Sequence, residues 1–239
     1  MTSPVPAFRR LALGLVLSLA AACAAAPVEA QDVAVGPPAL NPGDSFRFSE
    51  GDRTYLVRDI GWEGDLFVSS VDYEGGESYR DYYTPDLNMV RSEEVGSPET
   101  FFFEPHSLKY KFPMRVGLRW SGSFETIVRM PNGTVTQQFT TTQQCEVSCM
   151  ERVKVPAGTF ESFRIDCATR YSDQVFEQVQ QYWYSPEAGV SVASESWRYD
   201  MPGLIDRVEL IALDRADREP FHALPEGVDS TCQFETVSR

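Results

Sequence analysis

The chain has 239 residues, 42% of them hydrophobic, and 21 Lys and Arg against 35 Asp and Glu give a formal net charge of −14. So acidic a surface repels phosphate backbones and anionic lipid, which argues against nucleic acid as a partner. The length suits one ordinary domain behind a processed leader.

The leader comes first. Arg9 and Arg10 form a positive n-region, Leu11 to Ala22 an uncharged apolar stretch, and Val28-Glu29-Ala30 before Gln31 a small-residue cleavage signal. The apolar stretch is short of the roughly 20 residues that a spanning helix needs, so a signal peptide over residues 1–30 is the better reading than an N-terminal anchor. Leu19-Ala20-Ala21-Ala22-Cys23 is also close to the lipoprotein pattern, although the leucine sits four residues before the cysteine rather than three. Lipidation at Cys23 would tether the domain to a membrane without spanning it. Cleavage after Ala30 removes Arg9, Arg10 and Glu29 and moves the net charge from −14 to −15. No later segment approaches the length of apolar run that spans a bilayer, so the mature chain is read without a transmembrane helix. The expected address is periplasmic or secreted, tethered if Cys23 is lipidated.

Residues 31–43 are rich in Pro, Gly and small side chains and read as a linker. From 44 to 213, short stretches rich in Val, Phe, Tyr, Thr and Trp alternate with Gly, Asn, Asp and Pro every ten or so residues. The apolar spacing is two rather than three and four, which predicts an all-β domain built as a curved antiparallel sheet or an open or half barrel. Residues 214–239 lose the alternation and read as an irregular tail.

Two hairpins can be placed in register. Asn132-Gly133 favours a two-residue turn, because both central positions want positive φ. That turn aligns Met130 with Val135, Thr126 with Phe139 and Trp120 with Cys145, with Trp120, Phe124 and Val128 on a buried face and Ser121, Ser123, Glu125 and Arg129 in water. A second turn in Val155-Pro156-Ala157-Gly158-Thr159-Phe160, centred on Gly158, places Val153 opposite Phe163, Glu151 opposite Ile165 and Cys149 opposite Cys167.

Five cysteines become four once the leader is removed, an even number in an exported chain. The second register sets Cys149 beside Cys167 within disulfide reach. Cys145 lies roughly 13 Å from Cys149 along an extended strand, so elimination pairs it with Cys232. Four buried free thiols are the competing reading. A zinc site lacks partners, since His106 and His222 are the only histidines.

Catalytic signatures fail on inspection. The sequence has no G-x-S-x-G elbow, glycine-rich phosphate loop, dinucleotide fingerprint or H-E-x-x-H, and His106 beside Ser107 is only a sequence neighbour. No cofactor is expected. Glu63, Asp65, Asp72, Glu74, Glu77 and Asp81 are dense enough to suggest calcium but miss its loop pattern, so a solvated acidic face is the simpler account. Glu151 points into the core in the assumed register and reads as a structural hydrogen-bonding group. Tyr82-Tyr83, Phe101-Phe102-Phe103 and Tyr182-Trp183-Tyr184 could line a pocket or simply pack, with alternate members on opposite faces.

Three segments carry a resemblance. Val153-Lys154-Val155-Pro156-Ala157-Gly158-Thr159-Phe160, then Tyr182-Trp183-Tyr184-Ser185-Pro186-Glu187-Ala188-Gly189-Val190, preceded by Phe112-Pro113 through Gly117 to Trp120, are similar to an uncharacterised group of exported bacterial β-rich envelope proteins. The likeness covers roughly residues 110–195. It implies a curved antiparallel sheet or open barrel in the cell envelope and no catalytic residues to carry over. Its structural motif residues here are Pro156, Gly158, Phe160, Trp120, Tyr182, Trp183 and Gly189. The expected function is a non-catalytic envelope protein whose curved sheet binds an unknown ligand or envelope protein. The alternative is a carboxylate-based hydrolase of envelope or extracellular glycans, which needs two carboxylates in one cleft roughly 5–10 Å apart.

Overall fold

The structure, a computed structural model, describes residues 34–216. The leader, Cys23 and Cys232 lie outside the described residues. The strands are β1 (Ser45–Glu50), β2 (Arg53–Glu63), β3 (Leu66–Tyr73), β4 (Ser78–Tyr83), β5 (Met89–Glu94) and β6 (Thr100–Glu104). They continue as β7 (Arg119–Arg129), β8 (Val135–Val155), β9 (Gly158–Tyr171), β10 (Glu177–Ser185), β11 (Val190–Arg198) and β12 (Met201–Asp214). Each pairs antiparallel with its sequence neighbours, and β1 also pairs with β12, so the all-β sheet closes into a barrel. Closure removes both unpaired edges, the hazard of an open sheet.

Period-two alternation sets the two faces. Outward positions carry cross-strand ion pairs, among them Arg58–Asp72 at 2.7 Å, Arg119–Glu146 at 2.8 Å and Arg170–Glu177 at 2.7 Å. Inward positions are mostly apolar or aromatic. A membrane-spanning barrel has the reverse pattern, apolar outside. Among the described residues no helix is long and apolar enough to cross a membrane.

In an up-and-down barrel successive turns alternate between the two rims. The short β1–β2, β3–β4, β5–β6, β7–β8, β9–β10 and β11–β12 turns share one rim; the long β6–β7 connection, residues 105–118, lies at the other. That connection is the Phe-Pro…Gly…Trp element of the sequence, and it folds into the barrel end. Asn88 clamps it: the side-chain amide donates to the Tyr110 carbonyl at 3.0 Å, and the Tyr110 N–H donates to Asn88 Oδ1 at 2.9 Å. Trp120 Nε1 donates to the Leu108 carbonyl at 2.8 Å. Met114, fully buried, exchanges two backbone hydrogen bonds with Val35, which pins the stretch before β1. Gly122 makes room for this plug, since a Cβ there would lie 2.8 Å from Leu108 Cδ1. Tyr110 and Met114 then join Val147, Met150, Phe163, Ile165 and Tyr184 in one core cluster. A second cluster unites Phe46, Phe48 and Leu210 with Val155 and Phe160, because the β8–β9 tip lies against β12 and Ala157 N–H donates to the Leu210 carbonyl at 3.1 Å.

The first hairpin has the expected register, Trp120 opposite Cys145 and Thr126 opposite Phe139, until a bulge at Val128/Arg129 sets Arg129 rather than Met130 against Val135. The second does not. Its turn is the two-residue Pro156-Ala157, with Val155 paired to Gly158, so Val153 faces Phe160 and Glu151 faces Ser162. A further irregularity between Val147 and Cys149 puts Cys145 opposite Cys167, and these two form the disulfide. The expected Cys149–Cys167 and Cys145–Cys232 pairings are therefore corrected. The extra residue, Ser148, reverses which side of the strand each later side chain occupies, so Cys149 no longer shares a face with Cys145. Cys149 is itself disulfide-bonded. Glu151 likewise leaves the core face and accepts a hydrogen bond from Trp183 Nε1 at 2.6 Å.

Candidate ligand site in the barrel lumen

A barrel of eight strands is just filled by its own side chains, whereas wider ones leave space inside. Twelve strands enclose more than the inward side chains and the plug occupy. A cavity of about 740 Å³ remains, within the ~300–1,000 Å³ usual for small-molecule sites.

Three walls of different chemistry line it. On β1–β3, Phe48 stacks on Tyr55 with ring centroids 5.2 Å apart, and Tyr55 tilts against Tyr73 at 4.9 Å. On β6 and β7, Phe101, Phe103 and Phe124 form a phenyl wall, Phe103 and Phe124 lying 6.2 Å apart. Across β8–β10, half the circumference from β3, sits a shelf of Thr141, Gln143, Thr169 and Gln180. Gln143 Nε2 donates to Thr169 Oγ1 at 3.2 Å and to Gln180 Oε1 at 3.1 Å; Thr169 Oγ1 donates to the same Gln180 oxygen at 3.0 Å. Gln143 and Thr141 are 6% and 2% exposed, yet Gln143 Oε1 and Thr141 Oγ1 have no hydrogen-bond partner. Buried polar atoms are rarely left so, because each costs about 1–3 kcal/mol.

Charged groups are few. Asp59 accepts from Ser69 Oγ at 2.8 Å. Asp81 is held at both oxygens, by Ser92 Oγ at 2.6 Å and by the Tyr83 hydroxyl at 3.0 Å. Burial raises the Asp81 pKa above the ordinary 3.8, against the two hydrogen bonds that lower it. Burial also raises the pKa values of Tyr55, Tyr83 and Tyr182, so these hydroxyls stay protonated donors. Lys109, carried in by the plug, lies over the Tyr182 ring at 4.7 Å and the Tyr110 ring at 5.0 Å.

The aromatic runs divide as strand alternation requires. Phe101, Phe103, Tyr83 and Tyr182 line the cavity. Phe102 and Tyr82 sit beneath arginines, Arg129 at 5.1 Å and Arg91 at 3.7 Å. Of the remaining motif residues, Trp120 anchors the plug and Trp183 binds Glu151. Pro156, Gly158 and Phe160 form the β8–β9 tip, and Gly189, at φ +69°, turns the chain between β10 and β11 and lines the cavity. The suspected calcium carboxylates are dispersed into pairs, Glu63 with Arg80, Asp72 with Arg58 and Glu77 with Arg53. Among the described residues no three potential metal ligands gather. His106 Nδ1 donates to the Ser107 carbonyl at 2.6 Å. The β7–β8 register already places Thr141 and Gln143 on the face of Cys145; their meeting with Thr169 and Gln180 escaped sequence reading because the expected β8–β9 register was displaced.

No family profile matches the sequence, and no curated protein matches it significantly. Among solved structures, the chain is similar to a Bacteroides fragilis protein provisionally described as exported and YmcC-like in fold. The TM-score is 0.50 at 13% identity, over 77% of this chain and all of that one. A provisional lipoprotein of Parabacteroides distasonis (TM-score 0.42, 15% identity, 77% of this chain and 100% of that one) also aligns. So does the hypothetical lipoprotein YmcC of Escherichia coli (TM-score 0.44, 10% identity, 74% and 87%). The first likeness shows a YmcC-like fold.

Proposed function

We propose that this chain is an exported, non-catalytic envelope protein that holds an amphipathic small molecule inside its barrel. The observation that carries the reading is the lumen: about 740 Å³, walled by aromatic rings with a few hydroxyl, amide and carboxyl side chains among them. Apolar walls with a few placed polar groups are the ordinary makeup of a ligand pocket. Export is supported by the leader-like residues 1–30 and by the B. fragilis protein of similar fold, itself described as exported. Intact mass of the mature chain distinguishes a Gln31 N-terminus from a lipidated Cys23. The binding test is titration with diphenylhexatriene, an apolar probe that fluoresces when sequestered. Saturable uptake at one probe per chain, weakened about tenfold by a lumen-filling Thr126→Trp substitution, is the expected result. A chain that takes up no probe has a lumen closed to ligands.

A glycan hydrolase is the second reading, because Asp59 and Asp81 both line the cavity on strands separated only by β3. Neighbouring strands lie about 4.8 Å apart, which puts these carboxylates on backbones roughly 10 Å from each other. Asp81 is committed at both oxygens, and a general acid needs one oxygen for the substrate, so this reading ranks below binding. Release of reducing sugar from envelope glycan, abolished by Asp81→Asn, would reverse the order.

A further inference from the structure

The plug carries one cation into the lumen, and no carboxylate of the fold pairs with it. We propose that the lumen takes a long-chain carboxylate, its head seated on the Lys109 ammonium beside the Tyr182 hydroxyl and its hydrocarbon against the phenyl wall of β6 and β7. The inference rests on the lumen being a ligand site and adds the class of ligand.

Open donors give the first half of the case. The backbone around Lys109 is fixed on both sides, by Asn88 at Tyr110 and by Trp120 at the Leu108 carbonyl. The ammonium lies 4.7 Å from the centre of the Tyr182 ring and 5.0 Å from that of Tyr110. Ring faces attract a cation, but they are no substitute for acceptors of its three N–H groups. Lys109 makes no hydrogen bond or ion pair among the described residues. A charge drawn out of water without a partner is costly, so this ammonium calls for a counter-ion. The Tyr182 hydroxyl is the second donor. Burial raises its pKa, so it keeps its proton, and no described acceptor takes it. Both groups are presented to the cavity: each residue lines it and is half-buried. The enclosed atoms that lack partners include Gln143 Oε1 and Thr141 Oγ1, but neither Lys109 Nζ nor the Tyr182 hydroxyl. Two donors meet the two oxygens of a carboxylate.

Charge gives the second half. Asp81, on β4, lies six strands from the β10 of Tyr182 in either direction round the barrel, and Asp59, on β2, lies four. These acids are also engaged where they stand. Asp81 accepts from Ser92 and Tyr83, Asp59 from Ser69, and Asp44 from the Ala216 N–H at 2.9 Å. Lys109 is the one cation among the described lining residues, so the site matches a single negative charge. A quaternary ammonium would meet like charge in a low-dielectric space, and a neutral head would leave Lys109 without a counter-ion.

The test uses the full chain with diphenylhexatriene bound, displaced by three twelve-carbon amphiphiles below their micellar concentrations: dodecanoate at pH 8, dodecyl glucoside and dodecyltrimethylammonium. Dodecanoate is expected to displace the probe at a concentration about 10- to 150-fold below that of the glucoside, the factor associated with hydrogen bonds to a charged group. Lys109→Met, which keeps the apolar stem, should collapse the ratio of dodecanoate to glucoside affinity by about tenfold or more, and Lys109→Arg should retain most of it. Lys109→Gln gives the same readout if the methionine variant does not fold. Tyr182→Phe should lower the ratio by about fivefold. Glucoside or dodecyltrimethylammonium binding as tightly as dodecanoate, or a ratio unmoved by neutralising Lys109, overturns the assignment of ligand class while leaving the lumen a ligand site. Failure of the probe itself to bind removes the underlying reading instead.

Discussion

Replacing Cys145 and Cys167 together by alanine tests the corrected register and its energetic weight. The bond closes a loop with a sequence separation of 22. In the chain-entropy account, a cross-link over that span withholds about 11 cal/mol/K from the unfolded ensemble, or roughly 3.4 kcal/mol at 25 °C. For a chain of this size each kcal/mol moves the melting temperature by about 2–4 °C, so the double variant should melt roughly 7–14 °C below the parent. Both sulfurs sit in a core cluster, and alanine leaves no unpaired polar group behind. The measurement is differential scanning calorimetry of parent and variant, with non-reducing peptide mapping of the parent. Recovery of a Cys149–Cys167 peptide, or a shift under about 2 °C, refutes the reasoning. The same bond lies beside the polar shelf of the lumen wall, because Cys167 pairs with Gln180 on β10. Loss of the disulfide should therefore loosen probe binding as well as the fold.

Other expectations come from single contacts. Glu151→Ala removes the acceptor of Trp183 Nε1, a charge-assisted bond of 2.6 Å, and should cost about 1.5–3 kcal/mol in urea unfolding, with Glu151→Gln recovering part of it. Gly122→Val drives a side chain against Leu108 and should cost about 1–3 kcal/mol. Leu108→Ala in the same chain should return part of that loss, and strict additivity of the two changes would show that the plug does not press on β7. Asp81 has a folded-state pKa raised by burial, so the folded chain holds that proton more tightly than the unfolded chain. Its contribution therefore falls as pH rises from the ordinary 3.8 through the raised value and is flat above it. Asp81→Asn should remove that slope from a stability–pH profile, and an unchanged profile would mean that the carboxyl titrates normally.

Much of the architecture is local information. The period-two alternation from Ser45 onward dictates strands, and Asn132-Gly133 dictates a tight turn, so the β7–β8 register followed from residues within one hairpin. The alternation also sorts the aromatic runs correctly, Phe101 and Phe103 inward and Phe102 outward beneath Arg129. The β8–β9 register escaped for two reasons: the turn is Pro156-Ala157 rather than one centred on Gly158, which shifts the pairing by three residues, and the extra residue Ser148 shifts it by one more. No sequence signal marks that insertion, since the chain stays extended on both sides of it.

What the sequence alone determined is therefore the class of element, the acidic exterior and the absence of familiar catalytic signatures. Tertiary structure decided the disulfide pairing, the closure of β1 onto β12, and the meeting of Gln143 with Thr169 and Gln180. Strand formation depends on neighbours two residues away, which a linear reading sees. Closure and the lumen depend on pairing between residues as far apart as Ser45 and Asp214 and on how many strands share the circumference. That count sets the width of the barrel, and the width is what leaves a cavity to fill.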